Sequence, residues 1–249
     1  MAKLWKPFSK NQKQFNMIFS FFIILFICLI IVFFLYLKNL YINSYYLFPT
    51  VFLYIIFLFL LVLNFIFFKK LFLLHYKVKG ERLVKTALMQ LNDDYIIFCD
   101  ISFRIKYHDN FISYLIISPG GIYNIEPIYK KGILAINDKN NLVFYNKNQK
   151  MENKKRIFNT LRRNKENLFL LLKEYMPTNK IPVIENIVTY TNADRVFNEN
   201  ELSIPVIDYK NLSSYIKKKK EKEKKVDINE IARMIINQDK NFHYLRKNN

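Results

Sequence analysis

The basic side chains Lys154, Lys155, Arg156, Arg162, Arg163 and Lys165 crowd one short stretch of the chain. Ammonium and guanidinium groups at that density can contact nucleic-acid phosphates, with an affinity that falls steeply with salt. They can equally contact anionic lipid headgroups. No interleaved aromatic pattern marks a base-stacking surface there. A second run, Lys217 to Lys225 (KKKKEKEKK), carries Glu221 and Glu223 between its lysines and reads as a solvated face. Cys28 and Cys99 lie in different segments, which suggests neither a disulfide framework nor a metal site. His75, His108 and His243 have no metal-ligand spacing. There is no phosphate-cradling glycine loop, no nucleophile elbow and no zinc motif.

The elements that would position such groups divide the chain unevenly. Its 249 residues are 51% hydrophobic, and the excess sits in the first third. The formal net charge of +19 can attract nucleic acid or anionic lipid. The chain is also dense in Lys, Asn, Ile, Phe and Tyr, a bias that an AT-rich genome produces without selection for a partner. Both origins of the charge stay open.

From Met17 to Leu37 and from Tyr46 to Phe68 the sequence carries no charged residue. Each run can cross a hydrocarbon core of about 30 Å at roughly 1.5 Å per residue. No small-x-small cleavage site follows the first, so it reads as uncleaved. Lys3, Lys6, Lys10 and Lys13 precede the pair and Lys69, Lys70, Lys77 and Lys79 follow it, while the turn between holds only Lys38. The positive-inside rule then predicts a multi-pass protein of the cell membrane with both termini cytoplasmic. Tyr36, Tyr41, Tyr45 and Tyr46 would form an outer aromatic belt. The expected organisation is a basic cytoplasmic N-terminus (1–16), transmembrane helices at 17–37 and 46–68, a domain over 77–207, and a basic helical C-terminal extension over 208–249.

Within the cytoplasmic part, Gly80-Glu81-Arg82 opens a helical pattern that Asn92-Asp93-Asp94 breaks. Strands are expected at Tyr95–Ile101, Phe111–Ser118 and Ile122–Glu126, with Pro119-Gly120-Gly121 as a turn. Shorter strands follow at Ile133–Ile136 and Leu142–Tyr145. An amphipathic helix is predicted from Met151 to Tyr175, ended by Pro177. Strands at Val183–Thr191 and Ile204–Ile207 come next, then a helix from Asn211 and a last helix, Ile228–Asn237, with Asp227 as its N-cap. That order describes an α/β domain with a central mixed sheet.

Lys79-Gly80-Glu81 at the head of this order and Ile117-Ser118-Pro119-Gly120-Gly121-Ile122-Tyr123-Asn124-Ile125-Glu126 in its middle resemble the NERD family, the nuclease-related domain. The resemblance covers roughly residues 77–207. It implies a restriction-endonuclease-like fold of the PD-(D/E)xK kind behind the two transmembrane helices. In that family a strand Asp and the Glu of an E-x-K pair hold Mg²⁺, and the metal and the Lys stabilise the attacked phosphate. The helix Glu of the family matches Glu81. Its I-D-H falls on Ile112-Ser113-Tyr114, so Ser113 stands at the metal-binding Asp. Its E-x-K falls on Glu126-Pro127-Ile128, so Ile128 stands at the Lys. Its helix motif, close to N-P-x-x-Q-N-x-x-H, falls on Asn159 to Asn167, with Arg163 at the Gln and Asn167 at the His.

A hydroxyl is a poor Mg²⁺ ligand beside a carboxylate, and losing an electrostatic stabiliser costs about 10²–10³ in rate. The resemblance therefore implies a vestigial centre at Glu81 and Glu126 with no cofactor. Mg²⁺ would enter only if Lys130, which shares the strand parity of Glu126, and Asp100 or Asp109 rescued the chemistry. The expected function is a membrane-anchored binding or scaffold module, with the lipid bilayer and either nucleic acid or anionic lipid as partners. Two alternatives stand beside it: an active Mg²⁺-dependent nuclease with a rearranged site, and a module that binds an unidentified protein.

Overall fold

The two uncharged runs fold as helices because nothing in them breaks the ladder and each satisfies its own backbone bonds. The computed structural model describes residues 3–5, 10–42, 47–105, 108–129, 131–136, 142–145, 151–155, 157–198, 204–219 and 227–238. Helix α1 spans Lys10–Ile42 and α2 spans Leu47–Leu88. Both are long and apolar enough to cross a membrane, over Asn11–Tyr41 and Thr50–Leu88. Their large side chains, Phe34 and Phe59 among them, are mostly exposed, a surface that water would not favour. The helices pair as a hairpin through Phe22–Phe68 and Phe33–Phe57, and Asn39 Nδ2 donates to Thr50 Oγ1 at 2.9 Å.

One expectation needs correction here. Gly80-Glu81 does not open a separate helix but lies inside α2, which continues unbroken to Leu88. No proline falls between Lys69 and Leu88, and a single glycine is a tolerable cost of about 1 kcal/mol within a long helix.

The chain forms two compact units, Lys10–Val78 and, separately, Met1–Ser9 with Lys79–Asn249. The second unit is built on a six-stranded mixed sheet in the order β1-β2-β3-β4-β8-β10. Its strands are β1 (Lys3–Trp5), β2 (Ile96–Ile105), β3 (His108–Ser118), β4 (Gly121–Ile128), β8 (Ile184–Tyr190) and β10 (Val206–Asp208). β2, β3 and β4 form an antiparallel meander, while β1 joins β2, and β8 joins β4 and β10, in parallel. β2 runs on to Ile105 and β3 begins at His108, so the one ends later and the other starts earlier than expected. A second sheet, β7-β6-β5-β9, holds β5 (Gly132–Ile136), β6 (Leu142–Tyr145), β7 (Met151–Lys155) and β9 (Ala193–Asn198).

β7 overturns the expected start of the amphipathic helix. Met, Glu and Lys are good helix formers, but pairing of Leu142–Tyr145 with Met151–Lys155 takes this segment into the sheet. Helix α3 covers Ile157–Lys173 only. It packs Leu168, Leu171 and Leu172 on Ile117, Ile122 and Ile184, and Phe158 and Leu161 on Ile128 and Val188. The described residues beyond 208 form two helices. α4 (Tyr209–Lys219) buries Leu212 and Ile216 against Val84 and Leu88 of α2 and Leu91 just beyond it, and α5 (Ile228–Gln238) buries Ile231 and Ile235 in the α3-side core. Asp227 caps α5, its Oδ1 accepting the N–H groups of Asn229 and Glu230.

Candidate functional site

Strand register brings the key positions together. Tyr114 pairs with Ile125, so the next row of the antiparallel ladder sets Ser113 across from Glu126. The Ser113 hydroxyl donates to Glu126 Oε2 at 2.8 Å. On the other flank of β3, Cys99 pairs with Tyr114 and Ile101 with Ile112, which leaves Asp100 opposite Ser113. Asp100, Ser113 and Glu126 thus occupy one row across three neighbouring strands.

Asp100 has a left-handed backbone, φ 53°, alone among the described non-glycine residues. Aspartate tolerates this region better than most residues. The conformation breaks strand alternation. Ile96 and Phe98 before it and Ile101 and Phe103 after it all enter one core cluster, as do Ile112 and Leu115 on β3. A regular strand would send those two sets to opposite faces.

Glu81 sits on α2, 8% exposed, beside a pair of tyrosines. The Tyr114 hydroxyl donates to the Glu81 carbonyl at 3.3 Å. Burial, and then the neighbouring Cys99 and Glu81, push the Tyr114 phenol well above its usual range. Burial likewise raises Tyr129, with Tyr114, Glu81 and Glu126 adding to it. Tyr129 therefore feels both glutamates. Its ring also explains Gly80: a Cβ there would collide with Cδ1 of Tyr129 and come within 2.9 Å of Thr191 Oγ1.

Ile128, at the position of the family's lysine, is 4% exposed and packs with Leu134, Phe158, Leu161 and Val188. Pro127 is accommodated where the β3–β4 ladder has already ended. Asparagines of α3 hold β3 in place: Asn164 Nδ2 donates to the Phe111 carbonyl at 2.8 Å, and Asn167 Nδ2 bonds Asn110 Oδ1.

The other expected residues scatter. Asp109 lies on β3 four residues from Ser113, roughly 13 Å along the strand, so the backbone does not bring it to the row. Lys130 and Arg156 lie outside the described residues. Arg162, Arg163 and Lys165 are exposed on α3. Lys154 and Lys155 are on β7, not on that helix, so the basic cluster is divided between two elements. Sequence reasoning missed Tyr129, which no spacing announces, and the left-handed Asp100.

A mixed sheet flanked by helices, with a helix glutamate and a strand glutamate brought to one region, is the arrangement of a nuclease-related α/β domain. Residues 77–191 match the family model of the nuclease-related domain, and this segment belongs to the NERD family, related to the PD-(D/E)xK nucleases. No curated protein and no solved structure matches the chain significantly. Of the positions where the family implies Mg²⁺ ligands, Glu126 keeps its carboxylate, and Asp100 stands in the same row. Ser113 offers a hydroxyl already bonded to Glu126, Ile128 offers a hydrocarbon, and no group of three or more His, Cys, Asp or Glu is arranged to hold a metal among the described residues.

Proposed function

We propose that the chain is a membrane-anchored nuclease-related domain that does not hydrolyse phosphodiesters and serves as a nucleic-acid-binding module. The observation that carries this reading is the Ser113–Glu126 hydrogen bond. It ties up the strand carboxylate with a hydroxyl at the place where hydrolysis needs a second carboxylate. Ile128, buried in the core, supplies neither charge nor proton. The exposed Arg162, Arg163 and Lys165 of α3 are the groups that would meet phosphates.

The anchor is the α1–α2 hairpin, with both termini in the cytoplasm. The lysine distribution supports that orientation. So does β1: residues before the hairpin pair with Ile96–Phe98 after it, and the Lys3 N–H donates to the Tyr95 carbonyl at 3.2 Å. Segments that share a sheet lie on one side of a bilayer, which requires an even number of crossings between them.

The test uses the full chain in lipid nanodiscs with Mg²⁺ and labelled DNA or RNA. Binding that falls steeply with salt, without cleavage, supports the reading. Cleavage abolished by Glu126→Ala would establish an active centre instead. Absence of both binding and cleavage at low salt would leave a protein-binding module.

A further inference from the structure

The hairpin unit carries Lys10, Lys13, Lys38, Lys69, Lys70 and Lys77, yet the sequence has no Asp or Glu before Glu81. Within residues 10–78 no carboxylate can neutralise those ammonium groups. All but Lys38 gather at one end. Their depth follows from the helix register. Phe15 meets His75 at 6.2 Å, Phe22 meets Phe68 at 6.3 Å, and Tyr36 meets Tyr54 at 6.1 Å between ring centres. The pairs step together along the hairpin, so Lys77 lies level with Lys13, while Lys69 and Lys70 lie level with Ser20 and Phe21.

Lys69 and Lys70 are therefore set inward from Lys77 by about 12 Å at roughly 1.5 Å per residue. One headgroup layer is only about 6 Å thick. Exposed apolar side chains flank the two lysines on both sides, Ile66 and Phe68 before them and Phe72 and Leu73 after them, with Leu73 at 66% exposure. The Lys69 ammonium folds back over the Phe65 ring, 4.5 Å from its centre, toward the uncharged run. Two exposed cations among apolar residues at the hydrocarbon boundary call for an anion that is itself part of the bilayer.

We infer that Lys69 and Lys70 form a binding site for acidic phospholipid in the leaflet at the Lys13 and Lys77 end of the hairpin, with Phe72 and Leu73 immersed in the interface beside the bound headgroup. This rests on the reading that α1 and α2 cross a membrane. Ammonium groups near an anionic surface each contribute roughly a five-fold preference.

The experiment reconstitutes the full chain in nanodiscs of equal phosphatidylcholine and phosphatidylglycerol and counts retained lipids by native mass spectrometry. The wild type should retain phosphatidylglycerol over phosphatidylcholine by about five-fold or more. Lys69→Gln with Lys70→Gln should bring the ratio close to one. Lys69→Arg with Lys70→Arg should keep it, and so should Lys10→Gln with Lys13→Gln. Equal retention by the wild type, or an undiminished ratio in the glutamine pair, overturns the site. A chain that incorporates into neither pure phosphatidylcholine nor mixed discs brings down the membrane reading itself, an outcome distinguishable from loss of selectivity alone.

Discussion

Ser113 and Tyr114 are neighbours on β3, and they serve two different settings. Ser113 stands in a partly open row with Glu126, where the family places its chemistry. Tyr114 enters the buried corner with Tyr129 and Glu81. The open row sets a hydroxyl between two carboxylates, those of Asp100 and Glu126. The buried corner keeps the family's glutamate and encloses it with phenols. The contrast teaches that matching a motif position does not preserve its role. Glu81 is part of the packing beside Tyr114 and Tyr129, while Glu126 is bonded to a hydroxyl in a more open setting.

The strongest way to break this contrast is to change the buried neighbour of the open row, Ile128, two residues along β4 from Glu126. Ile128→Lys restores the family residue but puts an ammonium among Leu134, Phe158, Leu161 and Val188. Burying a charge without a partner should cost about 3–5 kcal/mol. Thermal unfolding of the full chain should show a large loss of stability and no gain of Mg²⁺-dependent cleavage. A stable variant that cuts would mean that the core at Ile128 is an accommodating pocket and the centre is dormant, not dismantled.

The buried corner is tested next through Gly80. Glycine to alanine in a helix is intrinsically favourable by about 1 kcal/mol, but here the new methyl meets the Tyr129 ring and Thr191. Gly80→Ala should destabilise by about 1–3 kcal/mol through overpacking. In a Tyr129→Ala background the same change should be neutral or stabilising. Equal effects in both backgrounds, measured as a double-mutant cycle of unfolding free energies, would remove Tyr129 from the explanation.

How much of this was legible beforehand depends on the range of the interaction that decides each element. The hairpin is written in composition, because a bilayer span needs only uninterrupted apolar residues. Ser113, Glu126 and Ile128 could be placed from motif spacing, and antiparallel register then brings the first two together. β1 could not be read, since a three-residue edge strand has no periodicity and owes its existence to Ile96–Phe98, far along the chain. The strand at Met151–Lys155 was hidden by helix-forming residues that a sheet partner overrules. Gly80 looked like a helix boundary because its reason, the Tyr129 ring, lies in another element.

The tyrosines of the buried corner also predict a pH dependence with a definite sign. Both phenols hold their protons to higher pH in the folded chain than in the unfolded one, burial being the main cause. Their contribution is fully present below the unfolded value near pH 10 and is lost as pH rises above it. Stability should therefore fall above about pH 10, by up to about 1.4 kcal/mol per pH unit for each tyrosine. Tyr114→Phe with Tyr129→Phe should flatten that alkaline limb in pH-dependent thermal melts. A limb that survives in the double variant would assign it to other groups.

The smallest effect tests the open row most directly. Ser113→Ala removes the donor to Glu126 and should cost about 0.5–1.5 kcal/mol, the usual net value of such a bond. Ser113→Asp is the more informative change, because it sets a second carboxylate beside Glu126. Two carboxylates in contact disfavour joint ionisation, so without metal this variant should lose stability at neutral pH and regain it as the pair is protonated in acid. Mg²⁺ should then stabilise Ser113→Asp in proportion to its occupancy and leave the wild type unmoved. Measured as melting temperature against Mg²⁺ concentration, that difference separates a missing ligand from a collapsed scaffold. If the aspartate variant gains Mg²⁺-dependent stability but not cleavage, the row still has the shape of the family's metal site, and the hydrocarbon at Ile128 is what keeps the domain from chemistry.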